Sequence, residues 1–229
     1  MRFCSVLVKP TVLSVRGLEK KFATTVIASD MNFDLYPGVY ALTGVNGTGK
    51  STLLAMCAGA EPYDNGNITI AGDDIVSSPV LARKNLGWLP DEPCIYHFLT
   101  GRAFLNLVAS AKGISNCEEI TAYLRCLQLG ALLGLRFDAM SLGMQRKFML
   151  TAALLGNPKL LILDEPTNGL DTMSLDYLVD LIKARASVSC ILFSTHDQNF
   201  IARTEANVCE LADGVVRMHG NRKHGVKSS

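Results

Sequence analysis

One short run of residues carries most of the chemistry in this chain: Gly44-Val45-Asn46-Gly47-Thr48-Gly49-Lys50-Ser51, which fits G-x-x-x-x-G-K-[ST]. Each residue type has a reason to be there. Glycines let the backbone curl so that successive N–H groups converge on one phosphate, and the helix start that follows adds partial positive charge. Lys50 neutralises the β and γ phosphates, and the Ser51 hydroxyl suits Mg²⁺. A second run supplies the carboxylates. Residues 160–163, Leu-Leu-Ile-Leu, read as a strand buried on both faces. They deliver Asp164 and Glu165 to its carboxyl end, where open α/β sheets place ligands. Asp164 suits a Mg²⁺ site, and Glu165 is the natural general base for a water in line with the γ-phosphate. Such a pair alone commonly sits in a solvated turn. With the glycine-rich loop in the same chain it points to nucleoside triphosphate hydrolysis. His196, after the strand expected at 191–194, is a candidate γ-phosphate contact, although a lone histidine is more often structural.

The elements that must position these groups follow from periodicity and turn signals. Strands are expected at 12–15, 33–35, 39–43 and 68–70, separated by Pro37-Gly38 and Asp64-Asn65-Gly66. A helix follows the glycine-rich loop from Lys50 to about Ala58. From Thr100 to Leu155 the pattern turns helical: a first helix behind the cap-like Thr100, a second holding Leu124, Leu127 and Leu129, and a third over 142–155 ended by Gly156-Asn157-Pro158. Strand and helix then alternate through 160–163, 175–184, 191–194 and 200–205. The fold class is α/β: a P-loop core of mostly parallel sheet with an antiparallel β part, interrupted by a helical insertion. The whole 1–229 reads as a single nucleotide-binding domain, with 1–89 and 156–229 as the core and 90–155 as the helical part.

Composition narrows the function classes. The 22 Lys plus Arg against 21 Asp plus Glu leave a net charge of +1, which argues against nucleic acid as a partner. The chain is 48% hydrophobic and 19% charged, apolar for a soluble protein, yet no stretch approaches the ~20 apolar residues of a bilayer span. Residues 3–8 are too short for a signal-peptide core and read as a strand. Seven cysteines without a C-x-x-C suggest neither a disulfide framework nor a zinc site, and Cys57 reads as core packing. The tail from Arg217 to Ser229 reads as a solvated basic end.

Taken together, the 44–51 loop, the block Leu163-Asp164-Glu165-Pro166-Thr167-Asn168-Gly169-Leu170-Asp171, Ser194-Thr195-His196-Asp197 and Met140-Ser141-Leu142-Gly143-Met144-Gln145-Arg146-Lys147 resemble the nucleotide-binding subunit of an ATP-binding cassette (ABC) transporter. The resemblance covers roughly residues 11–218. It implies roles residue by residue. Phe22 would stack on adenine; Gly44, Asn46, Gly47, Gly49, Lys50, Ser51 and Thr52 would form the Walker A loop. Asp164 and Glu165 would be Walker B and the catalytic glutamate, Asp171 the D-loop aspartate and His196 the switch histidine. Ser141 and Gly143 would reach the γ-phosphate held by an opposite subunit, with ATP and Mg²⁺ sandwiched in a head-to-tail pair.

Two positions depart from the family pattern. The Q-loop glutamine expected after Gly87-Trp88-Leu89-Pro90 is Asp91, a carboxylate able to reach Mg²⁺ or the water but unable to donate a hydrogen bond. The competing reading of Asp91-Glu92 is a solvated acidic turn. The signature has Leu142 and Met144 in place of glycine and glutamine, a form similar to ABC-2-type exporters. The resemblance therefore implies an ATPase serving a transmembrane permease on a separate chain, with a second nucleotide-binding subunit (identical or paralogous), at the cytoplasmic face of the cell membrane. A non-transport ATPase of the same fold, such as an iron–sulfur assembly factor, is the alternative. A plain P-loop kinase or GTPase is disfavoured by Glu165 and the signature stretch.

Overall fold

The computed structural model describes residues 10–219, apart from 24, 94, 115 and 116. The strand expected at 3–8 and the tail beyond 219 lie outside the described residues. Two sheets organise the rest. One is antiparallel, in the order β2-β1-β4-β5, built from β1 (Leu13–Phe22), β2 (Thr25–Leu35), β4 (Asn65–Ile70) and the short β5 (Asp73–Asp74). The other has the order β10-β9-β3-β8-β7-β6. In it β3 (Gly38–Thr43), β6 (Leu86–Leu89), β7 (Leu160–Asp164), β8 (Cys190–Ser194) and β9 (Asn207–Ala212) pair in parallel, and β10 (Val215–His219) closes the edge antiparallel to β9.

The unbroken apolar runs have a simple cause. Side chains alternate along a strand, so a strand covered on both faces needs apolar residues at every position. Leu160, Ile162, Cys190, Leu192, Tyr40 and Leu42 face the core shared with the antiparallel sheet and α1 (Lys50–Cys57). Their neighbours Leu161, Leu163, Ile191, Phe193, Val39 and Ala41 face the other core. That second core is covered by α3 (Gly101–Lys112), α5 (Leu142–Leu154), α6 (Thr172–Arg185) and α7 (Gln198–Thr204). The parallel sheet is thus the wall between two cores.

The helical stretch holds α3, α4 (Cys117–Cys126) and α5; α2 (Pro79–Lys84) lies before β6. Thr100 caps α3 by accepting from the Ala103 N–H at 3.2 Å, and Gly113 ends it at φ 69°, the left-handed turn that glycine adopts without a Cβ penalty. Gly101 lies where any Cβ would strike the Phe148 ring, which lets α3 press against α5. Phe137 stacks edge-on with both Phe104 and Phe148, at 5.3 and 5.8 Å between ring centres.

Several expectations need correcting. Leu127 and Leu129 are not helical: α4 stops at Cys126, Gln128 takes a positive φ of 57°, and the two leucines plug the core from the turn that follows. The strands expected at 12–15 and 33–35 are the ends of two long strands, whose polar, bulged middles hide the pairing from a hydrophobicity scan. Arg217 begins no solvated tail but sits in β10, paired with Glu210 of β9. Cys57 is core, as expected, and burial pushes its thiol up to about 12.

Candidate functional site

The carboxyl ends of β3, β7 and β8 converge on one cleft. A cavity of 710 Å³ opens there, lined by Ile27, Asn46, Gly47, Gly49, Lys50, Ser51, Thr52, Asp91, Glu165, Thr167, Asn168, His196 and Asp197. The loop between β3 and α1 makes one wall. Gly44, Gly47 and Gly49 all have positive φ, at 147°, 83° and 94°. At Gly49 the need is steric as well, since a Cβ would lie 2.7 Å from Ile27 Cγ2. No side chain caps α1 and no acidic residue occupies its first turn, so its leading N–H groups are left for an anion. Lys50 is buried and folds over its own loop, donating from Nζ to the carbonyls of Gly44 at 2.9 Å and Val45 at 3.2 Å.

The opposite wall carries the carboxylates. Asp164 is buried at the end of β7 and accepts from Ser194 Oγ at 2.5 Å. The same hydroxyl accepts from the Glu165 N–H at 2.9 Å. Ser194, at the end of β8, therefore clamps both residues, and it was not singled out from sequence because only the pairing of β7 with β8 brings it there. Glu165 itself has a positive φ of 45°, outside the ordinary helix and strand regions. Burial raises its carboxyl above the usual carboxylate range, the charges of Asp164 and Asp91 add to that, and His196 opposes it. His196 Nε2 stands 3.4 Å from Glu165 Oε1, with the imidazole half open to the cleft.

Asp91 lies on the cleft rim after β6. Its Oδ1 accepts from Asn168 Nδ2 at 3.1 Å and pairs with Arg146 Nη1 at 3.3 Å, so it is no free acidic turn. The other sequence candidates sit elsewhere. Phe22 ends β1, half exposed, with Lys20 Nζ 4.4 Å from its ring centre. Ser141 caps α5 by accepting from the Met144 N–H at 3.3 Å, and Gly143 follows with room for no Cβ, because the Gly169 carbonyl would lie 2.6 Å away. Asp171 caps α6 by accepting from Ser174 N–H at 2.9 Å and pairs with Lys147 Nζ at 2.5 Å. Those bonds hold its carboxyl down at about 2. Neither Ser141, Gly143 nor Asp171 lines the cleft of its own chain.

A glycine-rich loop between strand and helix, facing an acidic β-strand end across a strand followed by a histidine, defines a P-loop ATPase with an inserted helical part. Residues 28–168 match the ABC transporter family. Rattus norvegicus "Cholesterol transporter ABCA5" is 35% identical over 187 residues, 79% of this chain and 11% of that protein. Bacillus subtilis "Linearmycin resistance ATP-binding protein LnrL" is 32% identical over 179 residues, 75% of this chain and 57% of that protein. The chain thus spans about a tenth of the first relative and somewhat over half of the second. A solved "ATP binding subunit of ABC transporter" is 31% identical, covers 90% of this chain and 88% of its own, and superposes with a TM-score of 0.82. The chain belongs to the ABC transporter family, as one of its ATP-binding and ATP-hydrolysing cassettes.

Proposed function

We propose that this chain powers a transmembrane permease carried on a separate chain, and that it does so in an exporter. The observation that supports the reading best is the split of the machinery. The cleft holds the Walker A loop, the acidic strand end and His196, while Ser141 and Gly143, whose counterparts in the family close over the γ-phosphate, are not among the residues that line it. A site divided this way is completed by a second nucleotide-binding subunit arranged head to tail, identical or paralogous. No helix among the described residues is long and apolar enough to cross a membrane; the translocation path is assigned to a partner. The rings of Tyr96 and Phe98, 5.6 Å apart and exposed beyond the Asp91 loop, offer that partner an apolar foothold. Resemblance of the signature to ABC-2-type systems and the similarity to LnrL favour export, and docking would put the chain at the cytoplasmic face of the cell membrane. Within the chain, 1–89 and 156–229 act as the ATP-binding core and 90–155 as the helical part that carries the signature.

Each residue then has a task. Phe22 packs against the adenine ring from the end of β1. The N–H groups of the 44–51 loop and α1, with Asn46, Gly47, Gly49 and Thr52, hold the β and γ phosphates, and Lys50 leaves its loop carbonyls to neutralise them. Glu165 takes the proton of the attacking water, and its raised carboxyl makes it a better base than an ordinary glutamate. His196 orients Glu165 and meets the γ-phosphate. Asp91 senses that phosphate from the rim. Ser51 in the cleft wall and Asp164 at the end of β7 are oxygen donors of the kind that suit Mg²⁺ and are the residues that would hold it, with Asp91 within the same rim. Bound there, Mg²⁺ supplies charge neutralisation on the phosphates.

Glu165→Gln removes the base and leaves the cradle, so it should bind ATP and trap the closed pair. The test is to tag this variant and recover it from detergent-solubilised native membranes with ATP. Recovery of a stoichiometric polytopic membrane protein, dependent on ATP, supports the reading; recovery of soluble partners alone overturns it in favour of a non-transport ATPase.

A further inference from the structure

The signature helix carries a side chain that neither the phosphate cradle nor the carboxylate pair explains. Arg146 sits on the second turn of α5, yet it is only 2% exposed, one of the largest fully buried side chains among the described residues. A buried guanidinium is costly unless its donors are met. Here both Nη groups are met by the site, chiefly by its backbone, and Nε alone is left without a partner. Nη2 donates to the Glu165 carbonyl at 2.7 Å and to the Asp164 carbonyl at 3.2 Å. Nη1 donates to the Asp91 carbonyl and pairs with Asp91 Oδ1 at 3.3 Å. Asn168 Nδ2 completes the cluster on the same Asp91 oxygen, and the Gly169 backbone, also at positive φ, passes so close that a Cβ there would lie 3.3 Å from Arg146 Cδ.

The consequence falls on Glu165. Its positive φ is strained for a residue other than glycine and persists only where the surroundings over-determine it. Both of its backbone hydrogen-bonding groups are pinned: the N–H by Ser194 Oγ, the carbonyl by Arg146 at 2.7 Å and by the Asn168 N–H at 3.1 Å. Those bonds set the direction in which the side chain leaves the strand. The shorter bond to the carbonyl comes from a guanidinium whose other end is tied to the Asp91 loop. A planar fork can serve two sets of acceptors at once, which a single ammonium cannot.

We propose that Arg146 is a positioning residue for hydrolysis: it holds the Glu165 backbone so that the carboxylate faces the cleft, and makes that hold depend on where the Asp91 loop sits. A displacement of the Asp91 loop would therefore reach Glu165 through one side chain, without passing through nucleotide. The inference rests on Glu165 as the base, and the experiment separates the two.

Steady-state hydrolysis, affinity for a fluorescent ATP analogue and thermal melting are measured on the full chain for Arg146→Lys, Asp91→Asn, the double variant and Glu165→Gln. Arg146→Lys is expected to lower kcat by about tenfold or more while KM and nucleotide affinity stay within about threefold, the pattern of an interaction used in the transition state and not in binding. Asp91→Asn, at a side chain 44% exposed and safe for folding, cuts the ionic part of the same link and lowers kcat in the same direction. The double variant should be no slower than Arg146→Lys, because both changes break one connection. Arg146→Lys with kcat within twofold of the wild type overturns the proposal. So does a loss shared equally by kcat, nucleotide affinity and melting temperature, which is what plain structural damage gives. If Arg146→Lys does not fold, an Asp91→Asn chain with unchanged kcat overturns it as well. Glu165→Gln that still hydrolyses ATP sinks the base assignment instead, whatever Arg146→Lys does.

Discussion

The two halves of the proposed ATP machinery are built differently. The Walker half is embedded in sheet: Lys50 and Asp164 are buried, and Ser194 clamps the two carboxylate residues from the neighbouring strand. The signature half is the leading end of α5, where Ser141 and Leu142 are exposed and Gly143 is pressed against the Gly169 carbonyl. One half is pre-formed, since buried parallel strands leave its side chains little freedom. The other is an edge presented outward, tied to the rest of the site by side chains from further along α5, Arg146 and Lys147. A rigid half and a tethered half suit a machine whose two parts must meet across an interface and then separate. ATP can drive that cycle only through a difference in affinity between the closed and open pairs.

The sharpest way to break the contrast is to damage the halves in separate chains. Lys50→Ala and Ser141→Arg chains should each lose essentially all hydrolysis. Mixed together they should regain a clear fraction, because a pair of one with the other retains one composite site made of an intact cradle and an intact signature. No recovery on mixing, with both chains folded and able to pair, would mean that the two halves act within one chain.

A smaller effect is expected inside the Walker half. Ser194→Ala leaves the Glu165 N–H without its acceptor and Asp164 without its donor in a buried place, at about 1–3 kcal/mol. Denaturant unfolding should show a lower midpoint with an unchanged slope, and kcat should fall while nucleotide affinity holds. A variant as stable and fast as the wild type would remove the clamp from the account.

The smallest effect tests the tether. Lys147 and the Ser174 N–H hold the Asp171 carboxyl at about 2, below the usual value of 3.8. A carboxyl held down in the folded state adds stability that is full above its ordinary range and is lost as pH falls towards about 2. Asp171→Asn keeps a good helix cap but loses that charge. Its melting temperature should lie slightly below the wild type near neutrality, and the gap should close as pH drops from about 4 towards about 2. The carboxyl is well exposed, so the gap is modest. A gap that stays constant with pH would show that the ion pair contributes nothing.

Much of the Walker half was legible in the sequence because its logic is local. The glycines and Lys50 lie in one loop, and the apolar run before Asp164 and Glu165 announces a strand buried on both faces. The rest was hidden for particular reasons. Leu127 keeps helical spacing with Leu124, yet it and Leu129 fill the core from a turn, and hydrophobic periodicity does not distinguish the two. The middles of β1 and β2 are polar because they pair across bulges near the surface. Arg146 reads as an ordinary cation on a helix, since nothing nearby in sequence says that its partners lie on two distant loops.

What residue order by itself determined is which groups exist and which local shapes they prefer: a loop that cradles phosphate, a strand that ends in carboxylates, helices with their caps, an aspartate at position 91. Those follow from short-range sterics, hydrogen bonding and the period of the apolar pattern. Tertiary structure decided how the groups address one another. Placing β8 between β3 and β7 brings Ser194 to Asp164 and Glu165, and sets His196 against Glu165. Packing α5 over the sheet sends Arg146 inward to Glu165 and Asp91 while Ser141 stays outside. These contacts join residues far apart in the chain, and they form only once both faces of the parallel sheet have been covered.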